Sequence, residues 1–291
     1  MRRVVVAGSS GYVGRYVVRE LKQRGYFVRA LTRDAQRLAE PGPFASPAVR
    51  EHCDEVFVGE ATRPETLAGL FDGIDVAFSS IGISRQRDGL SFAQVDFAAN
   101  RNVFDAARAA GATKLVYVSL WDPDALAHLA IVREHEKVVG LLRSSGVAHC
   151  IVRPSGYFSD MGVLVDMAKR GRVFIVGRGG NRMNPIHGAD VARVCADAIE
   201  SPAEDLGAGG PDVLTQQQAA ELAFEVLGKQ PKLLHLPVPL LRGVARVIGL
   251  LNRHFGDLAE FLVTAGEVDG VAPRAGTIKL REYFTELARK P

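Results

Sequence analysis

Val4-Val5-Val6-Ala7 runs directly into Gly8-Ser9-Ser10-Gly11-Tyr12-Val13-Gly14, and this junction decides the fold. The β-branched run predicts a buried strand. The glycines let the backbone turn sharply into a helix expected over Tyr12 to Gln23. At such a turn the open N–H groups and the positive helix end suit a pyrophosphate. A glycine spacing alone is weak; here strand, turn and helix come in order, and a second strand is expected over Tyr26 to Leu31.

The end of that second strand bears on which dinucleotide the turn would hold. An Asp or Glu there binds the ribose 2′-hydroxyl of NAD. This chain instead reads Leu31-Thr32-Arg33, with no acid before Asp34. A guanidinium can grip a 2′-phosphate that a carboxylate would repel. Arg33, with Thr32 as a second donor, therefore favours NADP(H), with NAD the alternative; the plain reading of Arg33 is a solvated residue opening a surface helix.

Bulk properties exclude several classes. At 291 residues, 47% hydrophobic and 24% charged, the chain is expected to be one large globular domain, or a domain with a smaller appendage. A net charge of +3 without a dense basic tract argues against nucleic-acid binding. No apolar run reaches a membrane-span length, and the strand at residue 4 leaves no room for a leader. Cys53, Cys150 and Cys195 form no CxxC pair, which points to a reducing cytoplasm, and no metal site is expected.

Strand and helix signals then alternate. Further strands are expected at 55–58, 75–78, 114–118 and 148–152, with helices from Arg63-Pro64, over 91–110 and over 132–145. This alternation predicts an α/β fold, a Rossmann-type doubly wound parallel sheet with a smaller mixed α/β C-terminal lobe. Residues 1–155 form the dinucleotide-binding part, and 172–200, with a short strand at 173–176, return to its sheet. Residues 156–171 and 201–291 form the lobe for substrate or partner, where Thr215 is placed to cap a helix over 216–227. The stretch Pro237 to Phe255 spaces Arg242, Arg246 and Arg253 among aliphatic residues. It reads as a helix packed on the core or as a peripheral membrane contact.

Several segments together resemble the atypical short-chain dehydrogenase/reductases, nearest the NmrA-like proteins and the Rossmann-type accessory subunit of respiratory complex I. They are the glycine turn, the Leu-Thr-Arg after strand two, Gly59-Glu60-Ala61-Thr62, Ile151-Val152-Arg153-Pro154, the run from Asn184 to Ala192, and Gly209 to Thr215. The resemblance extends to about Lys229. It implies that Gly8, Ser10, Gly11, Tyr12, Val13 and Gly14 cradle the pyrophosphate and that Arg33 meets the 2′-phosphate. Glu60, where Asp is more usual, and Ala61 would border the adenine. Ser79, Ser80, Ile81 and Gly82 would flank the nicotinamide ribose, and Pro154, Ser155 and Gly156 the carboxamide.

Orthodox members of that family use a Tyr and, four residues on, a Lys to protonate a carbonyl as hydride arrives. No Tyr-x-x-x-Lys occurs here; the two positions fall near Ile131 and His135, and Asp96 stands where an Asn is usual. His135 could serve as general acid, hold the cofactor ribose or pack against the sheet, and it would share a face with Ile131 and His128 if the helix begins early enough. Ser119 stands as a vestige of the family serine. Tyr157 and Tyr117 are further phenols, each readable as chemistry or as packing. Arg85, Gln86 and Arg87 could clasp an anionic substrate or form a solvated loop, and His187 and Asp190 fit capping. Two functions follow: an NADP(H)-dependent oxidoreductase acting on a small lipophilic carbonyl, enone or quinone, or a non-catalytic redox sensor or assembly factor that binds a protein partner.

Overall fold

A computed structural model describes residues 1–82 and 89–289; Arg85, Gln86 and Arg87 lie outside them. Along the chain, β1 (Arg3–Ala7), α1 (Tyr12–Gln23), β2 (Phe27–Thr32), β3 (Glu55–Val58) and β4 (Val76–Ser79) come first. They are followed by α2 (Asn100–Ala109), β5 (Lys114–Val118), α3 (Ala130–Arg143), β6 (Ala148–Pro154), α4 (Phe158–Lys169), β7 (Val173–Val176) and β8 (Arg182–Met183). The remainder holds α5 (Gly188–Glu200), β9 (Asp205–Ala208), β10 (Leu214–Thr215), α6 (Gln216–Val226), β11 (Leu233–Leu236), α7 (Val238–Leu251), α8 (Arg253–Ala265) and α9 (Leu280–Arg289). Two compact units result: residues 1–119, 133–153 and 191–206, and residues 120–132, 154–190 and 207–291.

The first unit carries a seven-stranded sheet in the order β3-β2-β1-β4-β5-β6-β9. From β3 to β6 every neighbouring pair is parallel. The order reverses at β1, where chain direction passes from β2 on one side to β4 on the other, which opens the crevice of a doubly wound sheet at the strands' carboxyl ends. Val4, Val5, Val6 and Ala7 are wholly buried. One layer of the core gathers Val5, Leu70, Phe104, Leu115, Tyr117 and Leu142 between the sheet and its helices. Burying such side chains contributes about 1.5–3 kcal/mol each relative to leaving them exposed.

The second unit has its own core of Phe158, Val173, Ile175, Phe224, Leu280 and Phe284. The strand at 173–176 does not return to the large sheet: β7 pairs in parallel with β11, and the seventh strand of the sheet is β9. Its alternation of buried and half-exposed residues suits a two-stranded pair as well as a sheet. Thr215 caps α6 in a full capping box, its hydroxyl accepting from the Gln218 N–H while the Gln218 side chain accepts from the Thr215 N–H. Asp190 accepts from the Thr277 and Ile278 N–H groups, and the Ala189 N–H donates to His187 Nδ1, so both residues do structural work.

Three local expectations change. Only a 3₁₀ turn, Pro64–Leu67, forms after Arg63. The stretch before α2 is π-helical over Ala93–Ala99, and Asp96 within it is wholly buried. The helix carrying His135 starts at Ala130, so His128 precedes it and shares no helical face with His135.

All three cysteines are buried and unpaired. Burial pushes the Cys53 and Cys150 thiols up to about 11 and raises Cys195 further. The unfolded chain ionises these groups first, so their contribution to stability is intact below the ordinary value of 9.0 and is lost as pH rises toward about 11. We expect alkylation by iodoacetamide at about pH 8 to be at least tenfold slower in the folded protein than in denaturant, followed by mass spectrometry.

Candidate functional site

A cavity of about 260 Å³ opens in the first unit at the carboxyl ends of β1, β2 and β4. Its lining brings together residues far apart in sequence: Gly8, Ser10 and Gly11 from the turn, Thr32 at the end of β2 and Arg33 after it, Glu60 and Ala61 after β3, and Ser80, Ile81 and Gly82 after β4. Tyr12, Val13 and Gly14 stand behind them as the first residues of α1. Val13 is buried, and the Tyr12 ring meets Tyr16 and Phe44 edge-on, with centroids 5.4 and 5.8 Å apart.

Glycine is required by geometry here. Gly8 has φ +85°, a left-handed conformation that a side chain would strain. A Cβ on Gly14 would lie 2.1 Å from the Gly8 carbonyl oxygen, so the helix can dock against the turn only without one. Gly11 caps α1 with no side-chain hydrogen bond, and no acidic residue occupies the first turn. The first-turn N–H groups therefore present an uncompensated positive end. Ser80 Oγ is buried with no hydrogen-bond partner among the described residues. A helix N-terminus without an acidic residue, a buried hydroxyl and a turn framed by Gly8, Gly11 and Gly14 fit a dinucleotide pyrophosphate.

Buried polar side chains hold the lining in place. Ser9 Oγ donates to the Leu31 carbonyl at 2.7 Å, tying the turn to β2. Arg15, one turn into α1, donates to the carbonyls of Ser10, Glu40, Pro47 and Arg37, and so draws the 36–47 loop against the turn. Burial, and then the charge of Arg37, lowers its pKa from the ordinary guanidinium value. The loop thus contributes Arg37 and Pro43 to the cavity wall. Asn100 donates to the carbonyls of Ile81 and Asp96 while accepting from Ser79 Oγ, and Asn102 donates to the Ala61 carbonyl. Ser79 is therefore a buried support for the lining. The Thr32 hydroxyl donates to the Asp34 carbonyl, and the Asp34 carboxylate caps the next turn through the Gln36 N–H.

The proton-donor candidates separate. His135 is held at both ring nitrogens: Nδ1 lies 2.8 Å from Tyr117 Oη and Nε2 lies 3.2 Å from Asp96 Oδ1. Its side chain is 12% exposed and that of Asp96 wholly buried. A Cβ on Gly82 would fall 3.0 Å from that Asp96 oxygen and 3.8 Å from His135 Nε2, so the pair borders the Gly82 end of the cavity. Ser119 sits elsewhere, 3.4 Å from both Glu136 and Arg153, inside an ion-pair cluster that Asp205 completes. Burial opposes the Arg153 charge, but its bonds to Glu136 and Asp205 prevail and raise its pKa. Pro154, Ser155, Gly156 and Tyr157 belong to the second unit, where Ser155 Oγ donates to the Asn184 carbonyl and Tyr157 bridges to Ile186.

Arg15, Arg37, Asn100 and Asn102 escape a reading of the sequence, since their roles depend on carbonyls and loops brought close only by the fold. Because a Cβ at 14 would push α1 off the turn, Gly14→Ala is expected to weaken NADPH binding at least about tenfold in a fluorescence titration. Gly140→Ala, whose added Cβ meets nothing within 4 Å, should leave affinity unchanged.

Comparison with known proteins agrees with this geometry. Residues 8–202, more than half of the chain, match the model of the NAD(P)H-binding family. Divinyl chlorophyllide a 8-vinyl-reductase of Arabidopsis thaliana is 27% identical over 276 residues, 89% of this chain, which spans 66% of that relative's length. The photosystem II assembly factor Ycf39 of Cyanophora paradoxa is 27% identical over 158 residues, 54% of this chain and 46% of its own. Among solved structures, the NADPH-dependent quinone oxidoreductase of Escherichia coli, complexed with NADPH, superposes with a TM-score of 0.71 at 19% identity, covering 99% of this chain and 95% of that one. By its matched residues, its sheet and its turn, the chain belongs to the NAD(P)H-binding family.

Proposed function

We propose that this chain is an NADP(H)-dependent oxidoreductase that reduces a small lipophilic carbonyl, enone or quinone, with His135 as its proton donor. The observation that carries the reading is the Tyr117–His135–Asp96 chain at the Gly82 edge of the cavity. NADPH, when bound, supplies hydride from its nicotinamide ring. The remaining need is a proton for the reduced substrate. As imidazolium, His135 donates through Nε2 to Asp96 and through Nδ1 to Tyr117 Oη. A substrate oxygen at the Gly82 edge takes the Nε2 proton, leaving a neutral ring still bonded to Tyr117. The 3.2 Å contact with Asp96 is looser than a tight charge-assisted bond of about 2.7–2.9 Å, which favours such an exchange. Asp96 and Tyr117 act as positioning residues for the imidazole.

Preference for NADP(H) over NAD(H) rests on Arg33 and Arg37, two guanidinium groups on the cavity wall beyond β2. The lipophilic substrate class is drawn from the similar proteins, whose names specify a divinyl chlorophyllide and a quinone. A second reading, a non-catalytic NADP(H)-binding redox sensor or assembly factor, is favoured by the missing Tyr-x-x-x-Lys and by the engagement of both His135 nitrogens. The similar assembly factor supports it.

Arg33→Ala is expected to raise the Kd for NADPH about tenfold and to leave that for NADH within about twofold, by calorimetric titration. Equal losses for both cofactors would remove the 2′-phosphate role. His135→Asn is expected to lower kcat about 100-fold on a responsive quinone or enone, with NADPH affinity unchanged. Absence of NADPH oxidation by the wild-type chain across carbonyl, quinone and enone substrates would favour the second reading.

A further inference from the structure

The pair α7 and α8 presents a surface that the cavity chemistry does not use. The two helices pack closely through glycine: a Cβ on Gly256 would lie 2.3 Å from the Gly249 Cα. Ala245, one turn before Gly249, is the buried residue of α7. On the opposite face of that helix Leu240, Val244, Val247 and Leu251 recur at helical spacing, and all four are exposed. Leu250 and Leu251 are 88% and 86% exposed, and Phe255 extends the patch past the helix end. An apolar groove follows the same face between Pro239 and Ile248. So much contiguous aliphatic surface marks a binding site.

Charge identifies the occupant. Between Glu225 and Asp257 the chain contains no carboxylate, while Lys229, Lys232, Arg242, Arg246 and Arg253 supply five cations. Arg242 is paired with Glu267, and Arg246 and Arg253 are exposed beside the aliphatic stripe. A second copy docking on this face by two-fold symmetry would bring arginine against arginine with no acid in the stretch to compensate. An anionic lipid surface answers both features at once, with acyl chains for the leucines and headgroups for the arginines. No helix among the described residues is long and apolar enough to cross a membrane, so the contact is one of lying on the surface.

We infer that the exposed face of α7, continued by Phe255, docks the protein on membranes rich in anionic phospholipid. The full chain should float with vesicles of phosphatidylcholine containing about one-third phosphatidylglycerol, and bind pure phosphatidylcholine vesicles at least about tenfold more weakly. Salt at about 0.5 M should release most of it. Leu250→Glu combined with Leu251→Glu should abolish flotation, and Arg246→Glu combined with Arg253→Glu should lower affinity at least about tenfold. Both variants change exposed side chains only, and unchanged NADPH affinity and melting temperature would verify that they fold. Recovery of the wild-type chain in the soluble fraction at every composition would overturn the inference. So would a dimer in light scattering that the leucine variant dissociates while lipid binding stays absent, since the face would then be an interface between copies.

Discussion

The approach of Gly14 to the Gly8 carbonyl is the constraint on which the first unit depends. It sets how closely α1 lies on β1, and β1 is the strand at which the sheet reverses direction. With a side chain there the helix would stand off, and its first-turn N–H groups would no longer face the crevice between β1 and β4. Ser9 then anchors the same turn to β2 and Arg15 anchors the following loop to the turn, so the ends of β1 and β2 and the loop after them share one fixed reference.

Part of the cavity wall is backbone held in place by side chains behind it. Three polar side chains near it are spent on carbonyls of their neighbours: Asn100 on Ile81, Asn102 on Ala61, Thr32 on Asp34. Such bonds contribute about 1 kcal/mol each in net stability and cost more when broken on one side. They hold peptide groups at fixed angles, which a ligand bearing phosphates requires. The proton donor we propose is of another kind. His135 reaches the site from α3 and meets Asp96 from the π-helical turn before α2, with Tyr117 of β5 behind it. Asp96 lies within this π-helical turn and is wholly buried.

What the sequence made legible was local. Valines 4 to 6, the glycine spacing and the Arg33 position could be read because strand, turn and helix follow one another within a few residues. The Thr215 cap was legible for the same reason, Gln218 standing three residues on. The sheet assignment of Val173–Val176 failed because a short apolar run does not name its partner, and β11 comes far downstream. The shared helical face of His128 and His135 failed at a helix boundary, the least certain feature of any such reading. Asp96 stood out against the family pattern, but its contact with His135 is a product of tertiary packing. Arg15 looks like any surface arginine until the 36–47 loop folds over it.

That last arrangement bears on how this cofactor site could change through evolution. Every acceptor of Arg15 is a main-chain carbonyl, so its hydrogen bonds call for no particular side chain at 37, 40 and 47, whereas Gly42 must stay bare because a Cβ there would lie 2.1 Å from Arg15 Nε. The side chain at 37 can change while the carbonyl that Arg15 binds stays in place. The side chain of residue 37 lies on the cavity wall while its carbonyl holds the loop, so one position carries two separable tasks.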